Sequence, residues 1–245
     1  MEIRHAVFET DPIDGPGIPG NGHQPSRIRA DAKLCPPTLA DLRFCRLLGA
    51  EHWARLPLDV RRRFTKRLDD KHSVTYTGQI ISCRMNAVGW ALAQILRLVG
   101  GPLPTSRDEG VPAAVVVTED AAMCGQHWTR IYGRRAGFPR VIVSSKRFRG
   151  PTGLEEYVGC GIGMALRVSA DERSLHFHSD HYFLEAGRFR CRLPDWLTPG
   201  ALVVSHVDRG GGQFEFVLAL EHPWFGELVH QVALFADGSL LTRIR

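Results

Sequence analysis

The sequence predicts a mainly β protein of the α+β class, built as a curved antiparallel meander sheet or a barrel-like half-barrel with N-terminal helices and one buried hydrophobic helix. Beyond Pro112, short runs of β-branched and aromatic residues follow one another, and turn signals such as residues 209–212 (RGGG) separate them. Roughly nine or ten such strands exceed what a twisted open sheet usually holds. We therefore expect the sheet to curl into a barrel or half-barrel around the helix.

Apolar residues at helical spacing precede the strands. Residues 38–56 (TLADLRFCRLLGAEHWARL) predict a first helix with Thr38 as its N-cap, and residues 56–68 (LPLDVRRRFTKRL) predict a short second helix with a basic face. A strand is expected over residues 73–85 (SVTYTGQIISCRM). The clearest helix lies within residues 86–101 (NAVGWALAQILRLVGG). Because its far face is barely polar, we expect other elements to enclose it.

The first part of the chain has a different composition. Residues 11–37 are rich in proline and glycine and have no apolar period, so they bury too little surface to fold alone. The sequence therefore predicts two parts, which are a Pro/Gly-rich arm over residues 1–37 and a single β-rich domain over residues 38–245.

Composition narrows the class of protein. The 245 residues are 44% hydrophobic and 23% charged, as in ordinary globular proteins, and no apolar run approaches the roughly 20 residues of a membrane span. The first residues do not have the pattern of a secretory signal, so we expect a soluble, cytoplasmic protein. The six cysteines are spaced singly without a CxxC pair, which excludes a zinc knuckle and a thioredoxin-like motif.

The charge balance is mildly basic, with 31 Lys and Arg against 26 Asp and Glu. An excess of arginine could indicate a nucleic-acid partner. However, the basic residues recur along separate strands and in one short run at residues 61–63, and they do not form a continuous stripe interleaved with aromatics. We therefore expect a solvated basic face and no nucleic-acid partner.

One strand carries the polar residues that best suggest a ligand site. In GQHWTRIYG, the side chains of Trp128, Arg130 and Tyr132 share one face by the period-two rule. If that face is interior, Arg130 is a buried charge that needs a carboxylate, and Glu156 is the candidate partner. Removing only one partner would then cost about 3–5 kcal/mol. The alternative is a purely structural Arg–Glu pair.

Histidines offer two further candidates. His222 precedes Pro223, which favours a corner between strands, and it is either a general base or a corner histidine satisfied by backbone groups. His176 and His178 share a strand face with Asp180, while His181 falls on the other face. A metal site needs a third or fourth ligand, so histidines that point to water fit equally well and no metal is predicted.

Two common motifs are missing. Residues 159–163 (GCGIG) lack the GxGxxG spacing and are expected within a strand, so no nucleotide cofactor is predicted. No GxSxG nucleophile elbow occurs.

From about Leu42 to Arg245 the chain resembles the bacterial domain of unknown function numbered 4166. The resemblance is carried by the segments LPLDVRRRF, TYTGQI, VPAAVVV, HWTRIYG, GLEEYVG, LHFHSDHYFLEAGRFRCRLPDWLTPG and GGGQFEFVLALEHPWFGEL. These are mostly aromatic, glycine and proline positions, so they specify architecture better than chemistry. The resemblance implies a stand-alone version of a domain that is fused, in relatives, to short-chain or saccharopine-type dehydrogenase domains.

Three functions of different classes remain open at this stage. The first is a binding module that holds an apolar or amphipathic small molecule in a β-cup, with Trp128, Arg130, Tyr132, Glu156 and His222 as site residues. The second is an enzyme that acts on such a ligand with Arg130, Glu156 and His222. The third, by analogy with the fused relatives, is an interaction domain that partners a dehydrogenase.

Overall fold

The computed structural model describes residues 41–66 and 73–237. The predicted arm over residues 1–37, the Thr38 cap and a final strand-like run at residues 239–245 lie outside the described residues. The first and second helices of the prediction fall only partly within them.

The described strands number eleven. They are β1 (Ser73–Met85), β2 (Pro112–Asp120), β3 (Gly125–Tyr132), β4 (Arg140–Arg147), β5 (Glu155–Gly159), β6 (Ile162–Ala170), β7 (Ser174–Ala186), β8 (Phe189–Arg192), β9 (Ala201–Gly210), β10 (Gln213–His222) and β11 (Gly226–Ala236). All pairings are antiparallel, and ten of the strands close into a barrel because β1 pairs with β11 and β6 pairs with β7. The predicted antiparallel meander is confirmed, and its curvature extends to full closure.

Period-two alternation places apolar side chains inside the barrel. In β2, Ala113, Val115 and Val117 are buried, while the residues between them are partly exposed. Bulges in β1, β7 and β11, with Ile81, Asp180 and Leu228 as the extra residues, shift the register and add curvature. β8 stands outside the ring and pairs only with the last residues of β7.

Residues 154–170 had the pattern of one long strand, but the structure divides them into β5 and β6. Cys160 and Gly161 form the hairpin turn between the two strands, and both have positive φ values, 49° and 75°. Positive φ at both central residues is typical of a type I′ turn, which matches the twist of the flanking strands. The expectation that residues 159–163 lie within a strand was therefore wrong.

Short helices cover one end of the barrel. They are α1 (Arg43–Leu48), α2 (Ala50–Arg55) and α3 (Leu58–Phe64). Phe44 and Phe64 from this group pack edge-to-face at 5.1 Å and enter the core with Val60. This end of the barrel is called the α3 end below.

The hydrophobic helix α4 (Ala87–Leu96) is not enclosed, contrary to the prediction. Only Gly89 and Ala93 are buried, while Trp90 and Ile95 are 49% and 64% exposed. Side chains from the strands already fill the barrel interior, so α4 lies against β1 and β11 at the end opposite α3. Among the described helices, none has the length and apolarity that crossing a membrane requires.

Candidate functional site

The barrel interior contains a cavity of about 50 Å³ whose wall is mostly apolar. Nine of the ten barrel strands contribute to its lining, which identifies it as the lumen of the barrel. The lining residues are Pro102, Val115, Trp128, Arg130, Tyr132, Lys146, Glu156, Met164, Phe177, Leu202, Val204, Phe216, Leu218, Gln231, Ala233 and Phe235. Trp128, Arg130, Tyr132 and Glu156 were expected to lie together, and the structure brings these four to one cavity.

An ion cluster lies in this apolar wall. Glu156 on β5 is 3% exposed, and its Oε1 accepts a hydrogen bond from Arg130 Nη2 at 3.0 Å and from Ser144 Oγ at 2.6 Å. Its Oε2 accepts from Lys146 Nζ at 2.5 Å. The predicted Arg130–Glu156 pair is confirmed, but Glu156 has a second cationic partner in Lys146.

The protonation states follow from burial and from these contacts. Burial by itself would raise the pKa of Glu156, but Lys146 and Arg130 hold the pKa of that carboxyl well below its usual range. Burial lowers the pKa of Lys146, and Glu156 opposes that shift. The adjacent carboxylate holds the pKa of Arg130 above its ordinary value in spite of burial. Burial also raises the pKa of the Tyr132 phenol, which stays neutral.

The cluster contains two basic side chains and a single carboxylate. Burial lowers the pKa of Lys146, so its positive charge depends on negative charge beside it, and Glu156 is already shared with Arg130. Arg130 Nη1 is buried, and among the described residues it has no hydrogen-bond partner. Lys146 Nζ also lies 5.1 Å from the ring centroid of Trp128 and 5.4 Å from that of Phe177, where the ring faces attract the cation.

A second ion cluster lies directly beside the first, and it has as many carboxylates as guanidinium groups. Glu155, the neighbour of Glu156, points to the outer side of the wall and is fully buried there. It accepts hydrogen bonds from Arg190 at 2.6 Å and from Arg149 at 3.2 Å, and Arg149 also pairs with Glu185 at 2.8 Å. Two carboxylates thus match two guanidinium groups. In the inner cluster, by contrast, two basic side chains share one carboxylate.

His222 does not belong to the site. It lies where β10 turns into β11, its ring centroid is 4.9 Å from that of Phe225, and its Nδ1 accepts a hydrogen bond from the backbone N–H of Trp224. This geometry matches the corner histidine that was the alternative prediction. The expected grouping of Arg130, Glu156 and His222 in one catalytic site was wrong, because a short turn at the barrel end cannot reach the lumen.

Comparison with known proteins gives one match. Residues 56–235 match the family model described as a domain of unknown function, DUF4166. The chain belongs to the DUF4166 family. The matched segment begins just before α3 and includes all barrel strands up to Phe235, so the family match and the closed barrel coincide. A search of curated proteins found no match.

Sequence reasoning missed two residues of the DUF4166 ion cluster, Ser144 and Lys146. Both lie on β4, where they share a face with the buried residue Ile142. The available signal was the period-two spacing, which places Ser144 and Lys146 on the same strand face as the apolar Ile142. It is a weak signal, because a lysine in a strand is usually exposed.

The histidines of β7 lie apart from the cavity and form separate pairs. His176 contacts Asp171 at 3.0 Å and Ser205 at 2.8 Å, and His178 contacts Ser169 at 2.9 Å. His181 contacts its neighbour Asp180 at 2.7 Å. Within residues 41–66 and 73–237, no group of three or more His, Cys, Asp or Glu residues could hold a metal ion.

Proposed function

We propose that the DUF4166 domain binds a small amphipathic molecule with an anionic group, such as a carboxylate, inside the barrel. One observation carries the proposal, namely that Arg130 and Lys146 share the single carboxylate of Glu156 within an otherwise apolar cavity, while Arg130 Nη1 has no hydrogen-bond partner among the described residues. A buried charge without a counterion is strongly unfavourable. A ligand carboxylate at Arg130 Nη1 would supply a second negative charge beside the two basic groups and an acceptor for the unpaired N–H groups.

The rest of the cavity suits a hydrocarbon body. Its apolar lining includes Val115, Phe177, Leu218 and Ala233. In such cavities apolar contact contributes affinity, and a few polar groups fix the orientation of the ligand. The cavity of about 50 Å³ has room for a few water-sized groups, since one water needs roughly 10–15 Å³. Short-chain acids therefore fit best, and longer acyl chains would require side chains to repack.

Titration calorimetry with carboxylates of four to ten carbons tests this proposal. We expect wild type to bind hexanoate and to reject hexanamide, which has the same shape without the charge. Arg130→Met should weaken hexanoate binding about tenfold or more, because a charge-assisted hydrogen bond is lost. The matched control is Arg84→Met, since Arg84 is an exposed arginine of β1 outside the cavity.

The proposal fails if hexanoate and hexanamide bind equally, or if Arg130→Met and Arg84→Met have the same affinity for hexanoate. In either case, the Arg130–Glu156 pair would be purely structural. Chemical unfolding of each variant shows whether a loss of affinity reflects a loss of folded protein.

A second candidate function, docking on a dehydrogenase partner, is favoured by an exposed apolar surface at the α4 end. Trp224, in the turn between β10 and β11, is 73% exposed, and Leu98, directly after α4, is 78% exposed. The turn that carries Trp224 adjoins α4, since Asn86 donates to the backbone oxygens of Phe225 and Glu227. Large exposed apolar patches are typical of interaction sites.

The resemblance to fused relatives suggests the partner to use, which is a dehydrogenase domain of such a relative added in trans. We expect Trp224→Ser to weaken its binding, with the cavity variant Arg130→Met as control. Equal binding by wild type and Trp224→Ser would argue against this second candidate.

A further inference from the structure

A second cavity lies toward the α3 end of the barrel. Its volume is about 30 Å³, and it is lined by Phe44, Arg63, Phe64, Lys66, Val74, Tyr76, Val117, Gln126, Trp128, His206, Phe214 and Phe216. Trp128 and Phe216 line both cavities, and their ring centroids are 6.0 Å apart. Trp128 and Phe216 therefore form an aromatic wall that the two cavities share.

His206 is the unusual residue of this second cavity. It lies on β9, is 1% exposed, and stacks on Phe214 with 4.5 Å between ring centroids. Phe64 and Phe216 contact it edge-to-face, each at 5.2 Å. Neither ring nitrogen has a hydrogen-bond partner in another residue among those described, and only the backbone of His206 itself opposes the lowering of its pKa. Buried polar atoms are nearly always hydrogen-bonded, so this pair of nitrogens indicates a missing partner.

The charge state of His206 limits which partner fits. Burial lowers the pKa of His206 to about 3, and the nearby Arg63 acts in the same direction, so the imidazole is neutral at pH 7. A neutral imidazole offers one donor and one acceptor. Arg63 is occupied by Asp208 at 3.2 Å and Asp237 at 3.1 Å. The other cation in the lining is Lys66.

We propose that His206 recognises a neutral hydroxyl group of the ligand, so that the preferred ligand is a hydroxy acid. A hydroxyl both donates and accepts, which complements a neutral imidazole, and its oxygen would lie on the α3 side of the Trp128–Phe216 wall. This inference rests on the proposed function, in which the carboxylate of the same ligand binds at Arg130. The apolar spacer between the two groups would pack against Trp128 and Phe216.

The path along the wall gives an upper limit on the length of the spacer. The path from His206 to Lys146 passes through Phe216 and Trp128 in steps of 5.2, 6.0 and 5.1 Å. A bound water could also satisfy His206. That alternative makes a different prediction, since it gives the protein no preference for a ligand hydroxyl.

Calorimetry with three matched series of six to twelve carbons separates these possibilities. The series are fatty acids, their ω-hydroxy counterparts and primary alcohols. At the best length, wild type should bind the ω-hydroxy acid at least as tightly as the plain acid. His206→Leu should weaken the ω-hydroxy acid about tenfold, since a buried hydroxyl would lose its partner, and should change the plain acid less than about twofold. His206→Gln keeps a donor and an acceptor and should restore most of the affinity.

The failures of the two proposals are distinguishable. If Arg130→Met does not weaken acid binding, the anion site is wrong. If primary alcohols then still depend on His206 and not on Arg130, the hydroxyl site stands alone. If wild type prefers plain acids at every length, or if His206→Leu affects both acid series equally, the role of His206 is overturned and the water alternative is supported.

A measurement on wild type protects the test against a variant that does not fold. Nitrogen-15 NMR of the His206 imidazole should show shifts of Nδ1 or Nε2 on addition of the ω-hydroxy acid. The plain acid of equal length should leave those resonances unchanged. Equal shifts with both ligands would contradict the proposal.

Discussion

Replacing His206 with phenylalanine should make the stability of the domain less dependent on pH. The imidazole is packed among the rings of Phe64, Phe214 and Phe216, so a phenyl ring suits the surroundings. At pH 7 the replacement also removes two buried nitrogens that lack partners in the described part of the chain. Each such group costs about 1–3 kcal/mol, so the variant should be at least as stable as wild type.

The magnitude follows from the pKa of His206, which burial lowers from 6.5 to about 3. Between those values the unfolded chain binds a proton that the folded protein does not. Stability therefore falls as the pH falls from about 6.5 toward 3, by about 1.4 kcal/mol for each pH unit. Over the interval from pH 7 to pH 4.5, wild type should lose about 2.5 kcal/mol through this residue alone.

Urea unfolding at half-unit pH steps from 7.5 to 4.5 measures this effect. The difference in unfolding free energy between His206→Phe and wild type should grow as the pH falls, because the other histidines contribute equally to both proteins. The measurements stop at pH 4.5 so that Glu156 stays ionised. The pKa of Glu156 is also depressed, and the stability that its carboxylate contributes is lost only at lower pH. A difference that stays constant with pH would show that His206 protonates in the folded state.

Three further outcomes are expected from single substitutions. Glu156→Gln should lower the free energy of unfolding by about 3–5 kcal/mol, because two buried basic side chains lose their carboxylate. Arg130→Met should lower it much less, since Lys146 still pairs with Glu156. Equal losses of the two variants in urea unfolding would contradict the shared carboxylate. Gly89→Ala should destabilise by about 1–3 kcal/mol, although alanine favours helices, because its Cβ would lie 2.0 Å from a backbone oxygen of β11. Ala91→Gly, at an exposed position of α4, is the control for helix propensity. A Gly89→Ala protein more stable than wild type would show that α4 is free to shift. Cys160→Asn should raise the unfolding free energy by about 1 kcal/mol, because asparagine tolerates the positive φ of the turn. An unchanged thermal midpoint would argue against that turn geometry.

The antiparallel meander could be predicted from the sequence, because β-branched alternation and glycine turns are local signals. Closure of the barrel depends on pairing between β1 and β11, which are far apart in the chain, and no local pattern specifies it. The position of α4 was misjudged for a related reason. Its apolar composition is real, but whether a helix is enclosed depends on how much room the other elements leave.

The site was predictable in the same limited way. Trp128, Arg130 and Tyr132 share a face by parity alone, and a buried arginine requires a carboxylate, which led to Glu156. Lys146 and His206 could not be assigned, because nothing local distinguishes a lysine or histidine inside a barrel from one that faces water. Their burial depends on which face of each strand turns inward, and that is settled only by the complete barrel.

Closure of the barrel also restricts how another polypeptide can attach to it. Within the described residues, each barrel strand has a neighbour on both sides, so β8 provides the one free edge of the sheet. That edge is four residues long and carries Arg190 and Arg192. Short, charged edges discourage the strand-to-strand addition that leads to aggregation. A partner of the described barrel would therefore bind mainly to side chains on its outer surface, because the paired strands leave few free backbone groups for a new strand.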